Sequence, residues 1–298
     1  MEEAKRLFHQ GNEFFKQGNF DKAKEFYQTA MNLIQLSSQN TEKMHTAYAL
    51  SNLGLLQFAE GRIQEAKALH EEALQLRRSM ETLNQGISDD IEYLAWDMNR
   101  ELTSHQQMNN SQTNLITRLK QHDSIDALIS DSLNNLGGCL EISGDYQGAL
   151  QMYTDALELR RVLFGESHHL AAEVMQNIAT VQSALGHLQQ ASDTLQAVLK
   201  IYETHYGADS IESAIVLNNL GVVLTQIGVL PDAADCLEKA YEIRLHQLGN
   251  EHPLTINAKQ NLHYTKNKMS GSLPQSDMPT SQSNESKFNA EGNYPFCK

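Results

Sequence analysis

The stretch Leu133 to Gly144, LNNLGGCLEISG, decides the fold. Leu133, Leu136, Gly137 and Leu140 fall at i, i+3, i+4 and i+7, which is one face of an α-helix. Gly144, Asp145 and Tyr146 break that helix as a turn. Ala149, Tyr153, Ala156 and Leu157 then supply the apolar stripe of a second helix. The small residues Gly137, Ala149 and Ala156 share one purpose. Two helices approach closely only where no bulky side chain intervenes. Ser130 to Leu159 therefore reads as an antiparallel helix pair, and its outer stripe needs a neighbour to bury it.

The same pattern recurs along the chain. LFHQGNEFFKQG begins at Leu7, LSNLGLLQFAEG at Leu50, MQNIATVQSALG at Met175 and LNNLGVVLTQIG at Leu217. An alanine follows each glycine turn at a constant distance: Ala23, Ala66, Ala149, Ala191 and Ala233. A second small position follows at Ala30, Ala73, Ala156, Val198 and Ala240. Self-similarity at a fixed period is the signature of a stacked-repeat architecture.

This alternation of large and small residues resembles the tetratricopeptide repeat. Neighbouring units start about 42 residues apart, against about 34 in the common form. The extra length lies in the second helix and its exit, as in ALELRRVLFGESHHLAAEV, LKIYETHYGADSIESAIV and YEIRLHQLGNEHPLTINAK. Together with LNNLG, these exits resemble the repeat subtype of kinesin light chains. The resemblance spans roughly Ala4 to Lys268. It implies an all-α, right-handed superhelical solenoid of antiparallel helix pairs.

The expected repeats lie near 4–37, 47–80, 130–163, 172–205 and 214–247, with a capping helix over 255–268. The gap between the starts at Ala47 and Ser130 is close to two periods, so a degenerate repeat is expected near 89–122. Tyr93, Leu94, Trp96 and Leu102 would build its first helix, and Leu115, Ile116 and Leu119 its second. An inserted loop is the alternative reading of that segment. From Met269 the chain turns to Ser, Gln, Asn and Pro, and residues 269–298 read as a disordered tail.

Composition excludes several classes. The net charge of −14 disfavours nucleic acid and anionic membranes as partners. No apolar run approaches about 18 residues, so no membrane insertion is expected. MEEAKRLFHQGN is acidic and amphipathic, unlike a signal peptide. Cys139, Cys236 and Cys297 make neither a disulfide framework nor a metal spacing, which points to a reducing compartment, the cytoplasm. All five prolines lie at Pro231 or later, so no proline breaks the earlier helices.

The first helix of each pair is expected to line a concave groove. Two residues before its small residue stands an asparagine, Asn52, Asn135, Asn177 or Asn219, with His9 in the first repeat, and Asn261 holds the matching place, before His263, in the capping helix. Two residues are about 200° round a helix, so these amides point away from the buried stripe. An amide both donates and accepts, and a spaced ladder of them can hold an extended peptide by its backbone. In kinesin light chains the asparagines of LNNL hold cargo peptides, and the resemblance implies that role for Asn135, Asn177 and Asn219, then Asn52 and Asn261. The same asparagines could instead tie one repeat to the next.

Groove selectivity would come from Lys5, Phe8, Asn12 and Tyr48 at one end and from Asn134 and Asn218 at the other. The expected function is a non-enzymatic scaffold or adaptor that binds a protein or peptide. A scaffold for a folded partner on the convex face or edges is the alternative. A chaperone-type carboxylate clamp fits poorly, because Phe8 stands where the clamp has a lysine. A motor-subunit role also fits poorly, since the chain opens on a repeat and not on heptads.

Catalytic motifs are missing: there is no GxxxxGK[ST], no GxGxxG after a strand and no HExxH. His168-His169 near Glu166 reads as a solvated turn between repeats. No catalytic residue, metal or cofactor is expected.

Overall fold

The computed structural model describes residues 2–17, 19–34, 40–81 and 125–271. Among them the structure is all-α. The helices are α1 (Glu2–Lys16), α2 (Phe20–Ile34), α3 (Asn40–Ala59), α4 (Ile63–Glu81), α5 (Ile125–Ile142), α6 (Tyr146–Phe164), α7 (His169–Ala184), α8 (Leu188–His205), α9 (Ile211–Ile227), α10 (Leu230–Leu248) and α11 (Pro253–Met269). They fall into two compact units, one ending at Phe164 and the other beginning at Gly165. In the first, α1 pairs with α2, α3 with α4 and α5 with α6. In the second, α7 pairs with α8 and α9 with α10, and α11 packs on α10. The expected repeat at 89–122 and the tail beyond residue 271 lie outside the described residues.

Each pair follows from the pattern of large and small residues. Leu133, Leu136 and Leu140 are buried on α5, and Ala149, Tyr153, Ala156 and Leu157 are buried on α6. The small residue of the first helix admits a large one from the second. A methyl group added at Gly137 would sit 2.7 Å from the Tyr153 ring, and at Gly11 2.6 Å from Tyr27. At Gly54 the intruding ring is His70, at 2.7 Å. At Gly221 it would meet Leu237 at 2.5 Å and the Ala233 carbonyl oxygen, a backbone atom, at 3.1 Å. Gly221→Ala is therefore expected to destabilise the second unit. Overpacking costs roughly 1–3 kcal/mol, offset by about 1 kcal/mol of helix propensity. A urea midpoint at or above wild type would show that α9 and α10 part without cost.

Turns between paired helices use left-handed glycines, with φ of 76° at Gly61, 81° at Gly144, 80° at Gly186 and 98° at Gly228. This conformation costs a side-chain-bearing residue and is open to glycine. Helix starts are capped as well. Ser210 accepts from the Ser213 amide at 3.1 Å. His168 and His252 do the same through Nδ1, from Leu170 at 3.2 Å and Leu254 at 3.1 Å. These imidazoles occupy matching places in the GESHH and GNEHP exits, so the stretch read as a plain turn contains a helix cap.

Buried arginines tie helices together, at two joints between a pair and the helix that follows it and once within a pair. Arg77 of α4 is 2% exposed. Its guanidinium donates to the Leu128 carbonyl of α5 at 3.0 Å and also to Ser132 Oγ. Arg244 of α10 is fully buried and donates to the Leu254 carbonyl of α11 at 2.9 Å. Arg160 of α6 is buried too and acts within its own pair, donating to Ser130 Oγ of α5 at 3.1 Å and to Asp131 of α5 at 2.8 Å. Each stands four residues after a fully buried alanine: Ala73, Ala156 and Ala240.

Candidate functional site

The asparagines expected in a groove occupy three kinds of place. In the first unit, Asn52 on α3 is half-buried and donates from Nδ2 to Asn12 Oδ1 at 2.9 Å. The same oxygen accepts from the Tyr27 hydroxyl at 2.6 Å. Asn12 thus joins the first repeat to the second. Phe8 is 7% exposed and packs on Tyr27 with ring centroids 6.5 Å apart, inside the apolar cluster of that unit. Tyr48 lies under the Arg77 guanidinium at 5.4 Å. The side chain of Lys5 lies outside the described residues. On α5, Asn134 and Asn135 are both buried, and Asn135 Oδ1 has no hydrogen-bond partner.

In the second unit, Asn261 on α11 is buried and donates to Asn218 Oδ1 at 3.1 Å and to Asn257 Oδ1 at 3.3 Å. The Thr225 and Thr265 hydroxyls meet at 2.8 Å, and Lys268 donates to the Thr225 carbonyl at 2.9 Å. These contacts draw α11 across α9 and bury Asn218, Val222 and Thr225. Buried polar groups need partners; Asn218 Oδ1 and the two threonine hydroxyls find them across the helices, while Asn218 Nδ2 has none. Asn219 is 6% exposed, and its Oδ1 has no partner.

The open polar face of this unit belongs to α7. Glu173, Gln176, Asn177 and Thr180 are all half-buried and stand at i, i+3, i+4 and i+7. Such spacing forms one continuous strip along a helix. The expected ladder therefore divides. Asn52 and Asn261 link repeats, Asn135 and Asn219 hold buried amides with an unfilled acceptor, and Asn177 sits on an accessible face. Adjacent residues of LNNLG point about 100° apart, which is why Asn218 turns into the neighbouring helix.

Among the described residues, no group of three or more His, Cys, Asp or Glu is placed to hold a metal ion. No described helix is long and apolar enough to cross a membrane.

The chain matches a tetratricopeptide-repeat model at residues 8–79 and 128–204, and a second such model at 213–254. No curated protein sequence matches it. Among solved structures, it resembles BtubC (BKLC) from P. vanneervenii, at 17% identity over 85% of each chain with a TM-score of 0.59. A putative kinesin light chain with nearly identical TPR-like repeats, from Podosopora anserina, aligns at 16% identity over 76% of this chain and 88% of that one, with a TM-score of 0.53. A Rap protein complexed with competence and sporulation factor aligns at 14% identity over 89% of this chain and 63% of that one, with a TM-score of 0.55. At these identities the likeness is one of fold. With repeat models matching both units and the helix pairs built on the small residues that such repeats require, the chain belongs to the tetratricopeptide-repeat family.

Proposed function

We propose that this protein is a non-enzymatic scaffold that holds an extended segment of a partner protein, with Asn177 and Asn219 as its principal contacts in the second unit. The observation that carries this reading is the strip Glu173, Gln176, Asn177 and Thr180, wholly polar and half-open. A helix face that served only packing would be apolar. The partnerless Oδ1 of Asn219 is itself buried, so Asn219 enters this reading through its place in the LNNLG pattern and not through an exposed acceptor. Asn135 holds the matching place in the first unit, its Oδ1 likewise buried. Repeat proteins of this family are generally protein-binding scaffolds, and the Rap neighbour was solved in complex with a factor. Asn52 and Asn261 serve the scaffold itself, since their amides already join repeats. The free thiols of Cys139 and Cys236 suit a reducing, cytoplasmic setting.

Magnitudes limit what the amides alone supply. Each hydrogen bond contributes roughly 0.5–1.5 kcal/mol net, while micromolar binding needs about 8 kcal/mol. Side-chain contacts must therefore supply most of the affinity. A peptide-display selection on the wild-type chain is expected to enrich short extended peptides. The folded double variant Asn177→Ala/Asn219→Ala should bind them at least 10-fold more weakly, with circular dichroism matching wild type. If nothing enriches, or if the double variant binds as wild type does, the polar strip is structural and the search moves to folded partners on other surfaces.

A further inference from the structure

A second feature lies at the joint of α7, α8 and α9, all in the second unit. Five rings converge there. His168 caps α7 and His169 opens it, Tyr202 and His205 lie in the last turn of α8, and Tyr206 follows as its C-terminal cap. His169 and His205 have centroids 4.2 Å apart at 32°. Tyr206 stands at 90° to His205 with centroids 4.5 Å apart, and at 85° to Tyr202 with centroids 5.3 Å apart. Tyr206 thus closes a corner against a run of three imidazoles, with His168 stacked on His169 at 4.4 Å. Tyr206 stays 38% exposed, and His205 is exposed beside it, so the corner opens to solvent.

Two carboxylates flank this corner, Glu173 from α7 and Glu212 from the first turn of α9. Burial first, and then these two charges, push the Tyr206 hydroxyl up to about 12. Ring faces and carboxylates together attract one kind of group, a cation.

We propose that this corner binds a cationic side chain of the partner, arginine above all. A guanidinium is planar, so it can lie against the Tyr206 face while its fork engages a carboxylate, which a lysine ammonium does less well. The position fits the extended-segment reading, on which this inference rests. Glu173 lies four residues before Asn177 on the same open strip of α7. A segment held at Asn177 would carry one of its side chains to the corner one helical turn away.

The test uses a single blocked amino acid, so it does not depend on the rest of a peptide. N-acetyl-arginine amide is titrated into the full chain carrying 13C-labelled tyrosine and histidine rings, with N-acetyl-citrulline amide as the neutral isostere. Arginine is expected to give saturable shifts at Tyr206 and His205, citrulline to bind at least 10-fold more weakly, and added salt to weaken the arginine response. Glu212→Gln should weaken arginine binding at least 10-fold while the ring resonances keep their free positions. Tyr206→Leu should abolish it. Equal responses to arginine and citrulline, shifts that never saturate, or wild-type titrations in both variants would overturn the proposal. A chain that binds arginine here but selects no peptides keeps the corner and loses the extended-segment reading. A chain whose selected peptides lack arginine and lysine loses the corner and keeps that reading.

Discussion

Lowering the pH from 7 to 4.5 is expected to cost the first unit about 2–3 kcal/mol through His70 alone. His70 occupies the slot on α4 that Tyr27 and Tyr153 fill in neighbouring pairs, facing Gly54 where those rings face Gly11 and Gly137. It is 1% exposed. Burial first, and then the nearby Arg77 guanidinium, push its pKa from 6.5 down to about 3. The folded chain therefore keeps the ring neutral where the unfolded chain charges it. Stability from this group is complete above about pH 6.5, falls as the unfolded chain takes up a proton, and stops falling near pH 3. His70→Leu removes the proton site and places in the slot the residue that Leu237 already is against Gly221. Urea midpoints at pH 7 and pH 4.5 should differ less in the variant than in wild type, and the variant should be the more stable at pH 4.5. If both proteins lose the same stability between the two pH values, His70 does not titrate as a buried neutral ring.

The histidine slot shows what the sequence could and could not convey. LNNLG and its relatives make the helix pair legible, because a small residue on one helix and a large one on the other state a close crossing. The turn glycines are legible for a similar local reason. Asn134 and Asn218 were harder, since a polar residue beside a polar ladder reads as groove, whereas their direction is settled by the helix packed across them. Asn218 meets Asn261 only because α11 crosses α9. Phe8 belongs to the core for the same reason, through its contact with Tyr27 on a different helix. The corner of His169, His205 and Tyr206 was illegible, because its residues are scattered over two exits and converge only through tertiary structure. The buried arginines did leave a signal. ALQLRR, ALELRR and AYEIRL each place an arginine four residues after the small alanine, on the side of the second helix that faces inward.

Those arginines carry the last expected result, which separates volume, hydrogen bonding and charge. Arg244→Ala should cost the second unit about 3 kcal/mol, because removing a large, fully buried side chain leaves a cavity that its neighbours only partly fill. Arg244→Met should cost less, about 1 kcal/mol. It restores most of the volume and loses the bond to the Leu254 carbonyl. It also relieves the desolvation of a guanidinium held away from water. Arg244→Lys should resemble alanine more than methionine, since a buried ammonium lacks the planar fork and is harder to desolvate. Urea midpoints and hydrogen exchange at the α11 amides would measure the series. A wild-type midpoint for Arg244→Ala would show that α11 docks without this contact. The same order is expected at Arg77, where the chain between the bonded residues is very different. Arg244 and Leu254 are 10 residues apart in sequence, while Arg77 and Leu128 are 51 apart. One contact geometry spans both separations, so at these two joints the arginine and the carbonyl it reaches hold neighbouring helices together whatever the length of chain between them.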